Sequence, residues 1–239
     1  VGLGIKSALF PFHTWVPDAY GYSTPTSASV LSSLVSKGYI FLLIKIMYRV
    51  IGLDVIASTG IDDVLFVFAL VGMVMGSISA IRQNDIRRMV AFSSVAQIGY
   101  IFTAIGLRSE IGIICALWHS AAHAATKSML FVSCAEMDDA CGGTHLRKHL
   151  KGAFYHSPLL ALAFSLGAIN LVGVPLLSVF MTKITLVQAA IDVGGRHMGL
   201  VLIAVAISTL LNAVYFLGTT VNLFTPTKEG DEVLNLFDG

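Results

Sequence analysis

Residues 64–81 read VLFVFALVGMVMGSISAI, and no charged side chain interrupts them. As an α-helix these 18 residues rise about 27 Å, close to the roughly 30 Å depth of a bilayer's hydrocarbon core. Only helices and closed barrels satisfy their backbone in lipid, and the stretch lacks the apolar/polar alternation of a barrel strand. It reads as a membrane helix. The rest of the 239 residues agree: 56% are hydrophobic, 12% are charged and the mean hydropathy is +0.82. One water-soluble core cannot hide that much apolar surface. A net charge of +1, with the basic residues mostly in short connections, points to membrane topology and to no nucleic-acid partner.

Outward from this stretch the pattern repeats, and the fold expected is an all-α, polytopic transmembrane bundle of about seven segments. They cover residues 1–16, 26–47, 64–81, 89–107, 111–135, 158–190 and 197–224. Two are broken. The first is short and interrupted at Phe10-Pro11; the sixth is too long for one straight span and contains Gly173, Val174 and Pro175. Between the fifth and sixth, EMDDACGGTHLRKHLKGAFYHS is a loop or short interfacial helix outside the membrane, and residues 225–239 form a polar tail. Arg82, Arg87 and Arg88 in one connection and Arg147, Lys148 and Lys151 in another outnumber Arg49, Arg108 and Arg196 opposite. The positive-inside rule places the richer loops, and the C-terminal tail, in the cytoplasm or matrix. The chain opens at Val1 without a leader-like pattern and reads as the interior of a longer protein. Cys115, Cys134 and Cys141 show no paired spacing, so neither a disulfide framework nor a metal cluster is expected.

Charges at membrane depth cost several kcal/mol unless they face a partner or water, and they mark ion pathways by default. Lys37 lies in the middle of SSLVSKGYIFLL, at least two turns from any other charge on either side. Snorkelling accounts for Lys45 near a helix end, but not for Lys37. In HSAAHAATK, residues His119, His123 and Lys127 fall at i, i+4 and i+8, so they share one face over about 12 Å. Histidine titrates near neutral pH, and such a file can store or pass protons. The alternative is a set of polar groups bonding neighbouring helices, with the small residues between them allowing close packing. Lys6 and His13 flank the first break, and Lys183 follows the second. Broken helices at membrane depth line protein or water-filled cavities, and two of them suggest related halves.

The run GIKSALFPFHTWVPDAYGYSTPTSASVLSSLVSKG, residues 4–38, resembles the lysine-bearing broken helix and following helix of the antiporter-like subunits of complex I, membrane-bound hydrogenases and Mrp cation/proton antiporters. NDIRRMVAFSSVAQIGY, HSAAHAATKSMLF and LGAINLVGVPLLSVFMTK resemble the same family in the same order. The resemblance implies two inverted repeats, with residues 1–50 the end of the first, 62–224 the second and 225–239 the tail. It implies proton movement along a mid-membrane axis of lysines and histidines. By motif, Lys6 is the first broken helix's lysine, Lys37 that of the next helix, His119, His123 and Lys127 the connecting axis, and Lys183 the second broken helix's lysine. His13 joins this proton pathway beside the first break. The family's helices before Lys6, including one with a glutamate partner for it, and its last helix have no counterpart in these residues. The resemblance also implies neighbouring membrane subunits in a respiratory or hydrogenase complex of an energy-coupling membrane, without a cofactor or redox centre in this chain.

Three other readings compete. A b-type cytochrome would use His119 and His123, although haem usually takes histidines from two facing helices. An Mrp-type subunit would exchange sodium for protons. A structural remnant would not transport at all. No nucleotide-binding loop, nucleophile triad or metal motif occurs, so the chain is not expected to catalyse a reaction alone.

Overall fold

A computed structural model describes residues 1–226 except Cys141 and Thr144; most of the polar tail, residues 227–239, lies outside the described residues, as does the third cysteine. The described chain is helical, and its one β-bridge joins Asp85 to Leu146. In order come α1 (Gly2–Lys6), α2 (Val16–Gly21), α3 (Pro25–Ile51), α4 (Leu53–Thr59), α5 (Ile61–Ile81), α6 (Ile86–Gly106) and α7 (Glu110–Ala140). A 3-10 turn (Arg147–Leu150) leads to α8 (Ala153–His156), α9 (Pro158–Val172), α10 (Ser178–Val193) and α11 (Gly195–Phe224).

Among the described residues four helices, α3, α5, α6 and α11, are long and apolar enough to cross a membrane by length and composition. They differ in what surrounds them. α6 is 94% buried, against 33–39% for the other three, and its mean hydropathy is 1.5 against 2.4 for α5 and α11. A helix enclosed by protein has no lipid to match, so serines and a glutamine are tolerated along it once they find partners. α6 is therefore the pillar of the bundle, with α5, α7 and α2 packed around it, α9 and α10 against α7, and α11 against α5 and α9. Glycines set the α5–α6 spacing: a Cβ on Gly76 would stand 2.6 Å from the Ala96 nitrogen, and one on Gly99 would stand 2.7 Å from that of Met73.

α6 begins at Asp85, whose carboxylate accepts the Arg88 N–H at 3.0 Å. Asp85→Ala removes that cap and is expected to cost about 1 kcal/mol, while Asp85→Asn, an equally good cap, stays near wild type. Thermal unfolding of the detergent-solubilised protein checks both, and equal midpoints for the two variants would refute the cap's contribution.

α7 runs further than the sequence suggests, through Glu136, Asp138 and Asp139. The Asp138 carboxylate accepts the His145 backbone N–H at 2.7 Å and meets the His145 ring. The loop is then stapled to the α5–α6 connection: Ile86 N–H donates to His145 O, Arg147 N–H to Asn84 O and the Arg147 guanidinium to Gln83 O at 3.2 Å. At the other end of the bundle Arg108 holds Asp62 at 2.7 Å, and Arg196 and His197 hold Asp63 at 3.1 and 3.3 Å. The two basic loops thus meet at one end, opposite Arg108 and Arg196.

Both breaks are closed by side chains that take up freed backbone groups, as dry surroundings require. Across the first, the Trp15 indole donates to Ile5 O at 2.9 Å. Across the second, α9 ends at Gly173 (φ 88°), and the Asn170 carbonyl oxygen accepts the Val179 N–H that opens α10 at 3.2 Å.

Candidate functional site

The polar side chains of α3, α6, α7, α10 and α11 converge around the pillar. In α3 the helix widens to a π turn at Leu31–Val35, and Lys37, 4% exposed, donates back to Ser32 O and to the Ser36 hydroxyl at 3.2 Å. The Ser32 hydroxyl lies 3.1 Å from that of Ser94 on α6, and Ser94 donates to Val90 O at 3.3 Å. The same carbonyl accepts the Lys127 ammonium at 2.6 Å, and Lys127, fully buried, also bonds the Ser93 hydroxyl. Ser32 and Ser94 thus lie between Lys37 and Lys127, with the Ser32 carbonyl accepting from Lys37 and the Val90 carbonyl accepting from both Ser94 and Lys127.

One turn and two turns before Lys127 on α7 stand His123 and His119, ring on ring, with centroids 6.4 Å apart and planes within 9°. His119 is fixed from both sides: Nδ1 lies 2.7 Å from Thr182 Oγ1 and Nε2 lies 3.0 Å from Gln97 Oε1. Thr182 donates to Val179 O, so it accepts from Nδ1–H. Nε2 facing an amide oxygen then needs a second ring proton. In the neutral ring the Gln97 amide turns over and donates its N–H, which is buried without a partner in the present orientation. Gln97 can thus serve His119 in either protonation state. His123 has neither ring nitrogen bonded and no exposed surface.

Tyr100 stacks on His119 at 5.5 Å and leads to the last member. Lys183, 6% exposed, donates to Val172 O at 2.7 Å and to Thr209 Oγ1 at 3.0 Å, with its ammonium 5.2 Å from the Tyr100 ring centroid. It caps the carbonyl end of α9 that the break leaves open. Lys37, Lys127 and Lys183 make no salt bridge with an acid among the described residues.

Lys6 and His13 stand apart from this row. Lys6 is exposed, and His13, half-buried, stacks on Phe10 at 5.3 Å with its Nδ1 buried and unpartnered. The structure also brings in Ser93, Ser94, Gln97, Tyr100, Thr182 and Thr209, which charge-based reading passes over. A signal for part of them exists in SSVAQIGY, where Ser93, Gln97 and Tyr100 fall at i, i+4 and i+7 on one face of an otherwise apolar helix.

A family model described as "NADH:quinone oxidoreductase/Mrp antiporter, TM" matches residues 1–212. The chain belongs to this NADH:quinone oxidoreductase/Mrp antiporter family. Among its relatives is NADH-quinone oxidoreductase subunit N of Desulforudis audaxviator, 34% identical over 223 residues, or 93% of this chain and 44% of that protein. The putative antiporter subunit mnhA2 of Staphylococcus haemolyticus is 32% identical over 92% of this chain and 30% of its own length. The chain thus spans less than half the length of either relative. Solved structures agree. The membrane-bound sulfane sulfur reductase, an archaeal respiratory membrane complex, has a subunit chain matching at a TM-score of 0.86 with 29% identity, over 97% of this chain and 46% of that one. A chain of the Mrp complex from Dietzia sp. matches at 0.83 with 28% identity, over 94% and 41%. This member of the Mrp antiporter-like family is an integral, multi-pass membrane protein, and all seven ionisable side chains singled out from its sequence fall inside the matched region.

Proposed function

We propose that this chain moves protons within the membrane along Lys37, Lys127, His123, His119 and Lys183, as part of a larger ion-translocating assembly. The observation that carries this reading is a row of five buried ionisable side chains, bordered by hydroxyls, an amide and stacked rings, with no described acid to neutralise the lysines. Two ammonium groups in one dry region repel each other. A proton delivered at one end therefore promotes release at the other, which is the property a pump needs. The energy would come from electron transfer elsewhere in a complex I-like assembly.

The same reading takes the chain as about seven spans, with residues 1–50 ending one repeat and 62–224 forming its inverted copy. Support comes from the two breaks, each with a lysine nearby: Lys6 before Phe10-Pro11 and Lys183 after Pro175. Exposed Lys6, with His13 beside it, would continue the pathway toward the acid that Lys6 lacks, carried by another polypeptide or by a further part of this one. Loop charge favours the Arg87–Arg147 end, and the C-terminal tail with it, on the cytoplasmic or matrix side of an energy-coupling membrane. One relative is named a putative antiporter subunit, which supports a second reading, exchange of a cation such as sodium for protons.

Reconstituting the complete assembly in vesicles with a pH-sensitive dye tests this. Proton movement should persist with sodium withdrawn and fall several-fold in His123→Leu. Unchanged rates in that variant would sink the row as a pathway, and an absolute sodium requirement would favour exchange.

A further inference from the structure

Where the two basic loops meet, a cavity of about 530 Å³ opens, lined by Asn84, Leu146, Arg147, Lys148 and Asn222. Three segments frame it: the α5–α6 connection, the loop after α7 and the last turns of α11. Arg147 ties them together, since its guanidinium donates to Gln83 O at 3.2 Å and to Tyr215 O at 3.4 Å. Gly152 N–H adds a bond to Asn222 O at 3.2 Å.

Arg147 is half-buried, and a guanidinium keeps its charge at any working pH. Carbonyl oxygens orient that charge without neutralising it, and a cation drawn partly out of water calls for an anion. Neither Arg147 nor Lys148 forms a salt bridge among the described residues. Asp85, Asp138 and Asp139, at the same end, are already engaged by the Arg88 N–H, by His145 and by Arg87. The lining residues thus carry two positive charges and no negative one. The two carbonyls occupy only part of a fork of five N–H groups, and such a fork matches phosphate oxygens.

One helix also supplies an apolar track. Leu210, Val214, Leu217 and Val221 fall at i, i+4, i+7 and i+11 of α11 and are all exposed, so a single stripe runs down to the turn that carries Asn222. It is about 17 Å long, roughly one leaflet of a bilayer's 30 Å hydrocarbon core.

We propose that this cavity holds the phosphodiester of an anionic phospholipid, with Arg147 and Lys148 on the phosphate, Asn84 and Asn222 beside it, and an acyl chain on the α11 stripe. A zwitterionic headgroup would bring its own cation against the two basic side chains, so the site selects net negative charge. The lipid clamps the loop to both helices and is independent of the proton row.

The test uses the complete assembly, stripped of lipid in detergent and given phosphatidylglycerol with a photoreactive diazirine beside its headgroup. Adducts mapped by mass spectrometry should concentrate on residues 145–148 and 217–222, survive excess phosphatidylcholine and disappear with excess unlabelled phosphatidylglycerol. Lys148 is exposed and holds no other described residue, so Lys148→Gln should assemble normally while needing about fivefold more lipid for half-labelling; Lys148→Arg should match wild type. Labelling absent from these peptides, or equally well displaced by phosphatidylcholine, overturns the proposal. So does unchanged half-labelling in Lys148→Gln and in Arg147→Gln. Displacement by inorganic phosphate, at an ionic strength where chloride has no effect, would make this a free-anion site instead. Labelling that appears only once Glu229, Asp231 and Glu232 are changed to glutamine would give the cavity to the acidic tail and not to lipid.

Discussion

Lys37→Met is expected to assemble normally and to cut proton transfer at least about tenfold, or about 1.4 kcal/mol in the barrier. Assembly should survive because no described acid depends on Lys37: deleting a buried charge is destructive chiefly when it strands an opposite one. The loss is confined to Ser32 O, the carbonyl of the π turn, and to the Ser36 hydroxyl. Methionine fills nearly the same volume and suits a dry site better than an ammonium does. Transfer should fail because Lys37 is the titratable group that α3 brings to the row, with Ser32 and Ser94 between it and Lys127, and methionine neither binds nor yields a proton. Lys37→Arg keeps the charge but should fail comparably, since a guanidinium hardly deprotonates. Dye-monitored proton uptake by reconstituted complexes separates the cases. Wild-type rates in Lys37→Met would remove Lys37 from the pathway, and wild-type rates in Lys37→Arg would make its role electrostatic only.

Legibility of this molecule from sequence follows the strength of each physical constraint. Lipid forbids unpaired backbone, so the apolar runs and the interruptions at Phe10-Pro11 and Gly173–Pro175 announce helices and their breaks with little ambiguity. The spacing of His119, His123 and Lys127 announces a shared face for the same reason: the helical period is fixed. The end of α7 was less legible, because Glu136, Asp138 and Asp139 look like loop residues until His145 and Arg87 are seen to meet them. The π turn before Lys37 has no sequence signature, since SSLVS suits an ordinary turn equally well. Hydroxyl and amide partners were the hardest. Thr182 and Ser94 each bond a carbonyl of their own helix as well as the site, a habit that normally marks a Ser or Thr as structural. Only the positions of neighbouring helices distinguish Thr182, 2.7 Å from His119, from Thr185, which is half-buried and bonds Met181 O. Exposed Lys6 illustrates the opposite case: its charge was easy to single out, while the acid it calls for is not among the described residues.

Gly99→Leu is expected to abolish assembly, and Gly218→Leu to be tolerated, although both place the same side chain on a helix long enough to cross the membrane. A Cβ on Gly99 would stand 2.7 Å from the Met73 nitrogen, 2.8 Å from Ala69 O and 2.9 Å from Met73 Cα. Those are backbone atoms of α5, which cannot swing aside as a side chain can, so the two helices must part. Parting them disturbs more than apolar packing. Met73 O accepts the Ser77 and Ser208 hydroxyls, and Tyr100, next to Gly99, stacks on His119. Overpacking alone costs about 3 kcal/mol at such a site, a large share of the 5–15 kcal/mol that holds a typical folded protein. Gly218 of α11 has no heavy atom within 4 Å of where its Cβ would be. Leucine there only adds apolar surface toward lipid and removes a flexible residue from a helix, for which glycine is about 1 kcal/mol worse than alanine. The yield of assembled complex from cells, followed by its thermal midpoint in detergent, reads both outcomes. Gly99→Leu at wild-type yield and midpoint would show that α5 and α6 are not locked at this crossing. A collapse of Gly218→Leu to the same level would show that α11 is covered there by another part of the assembly.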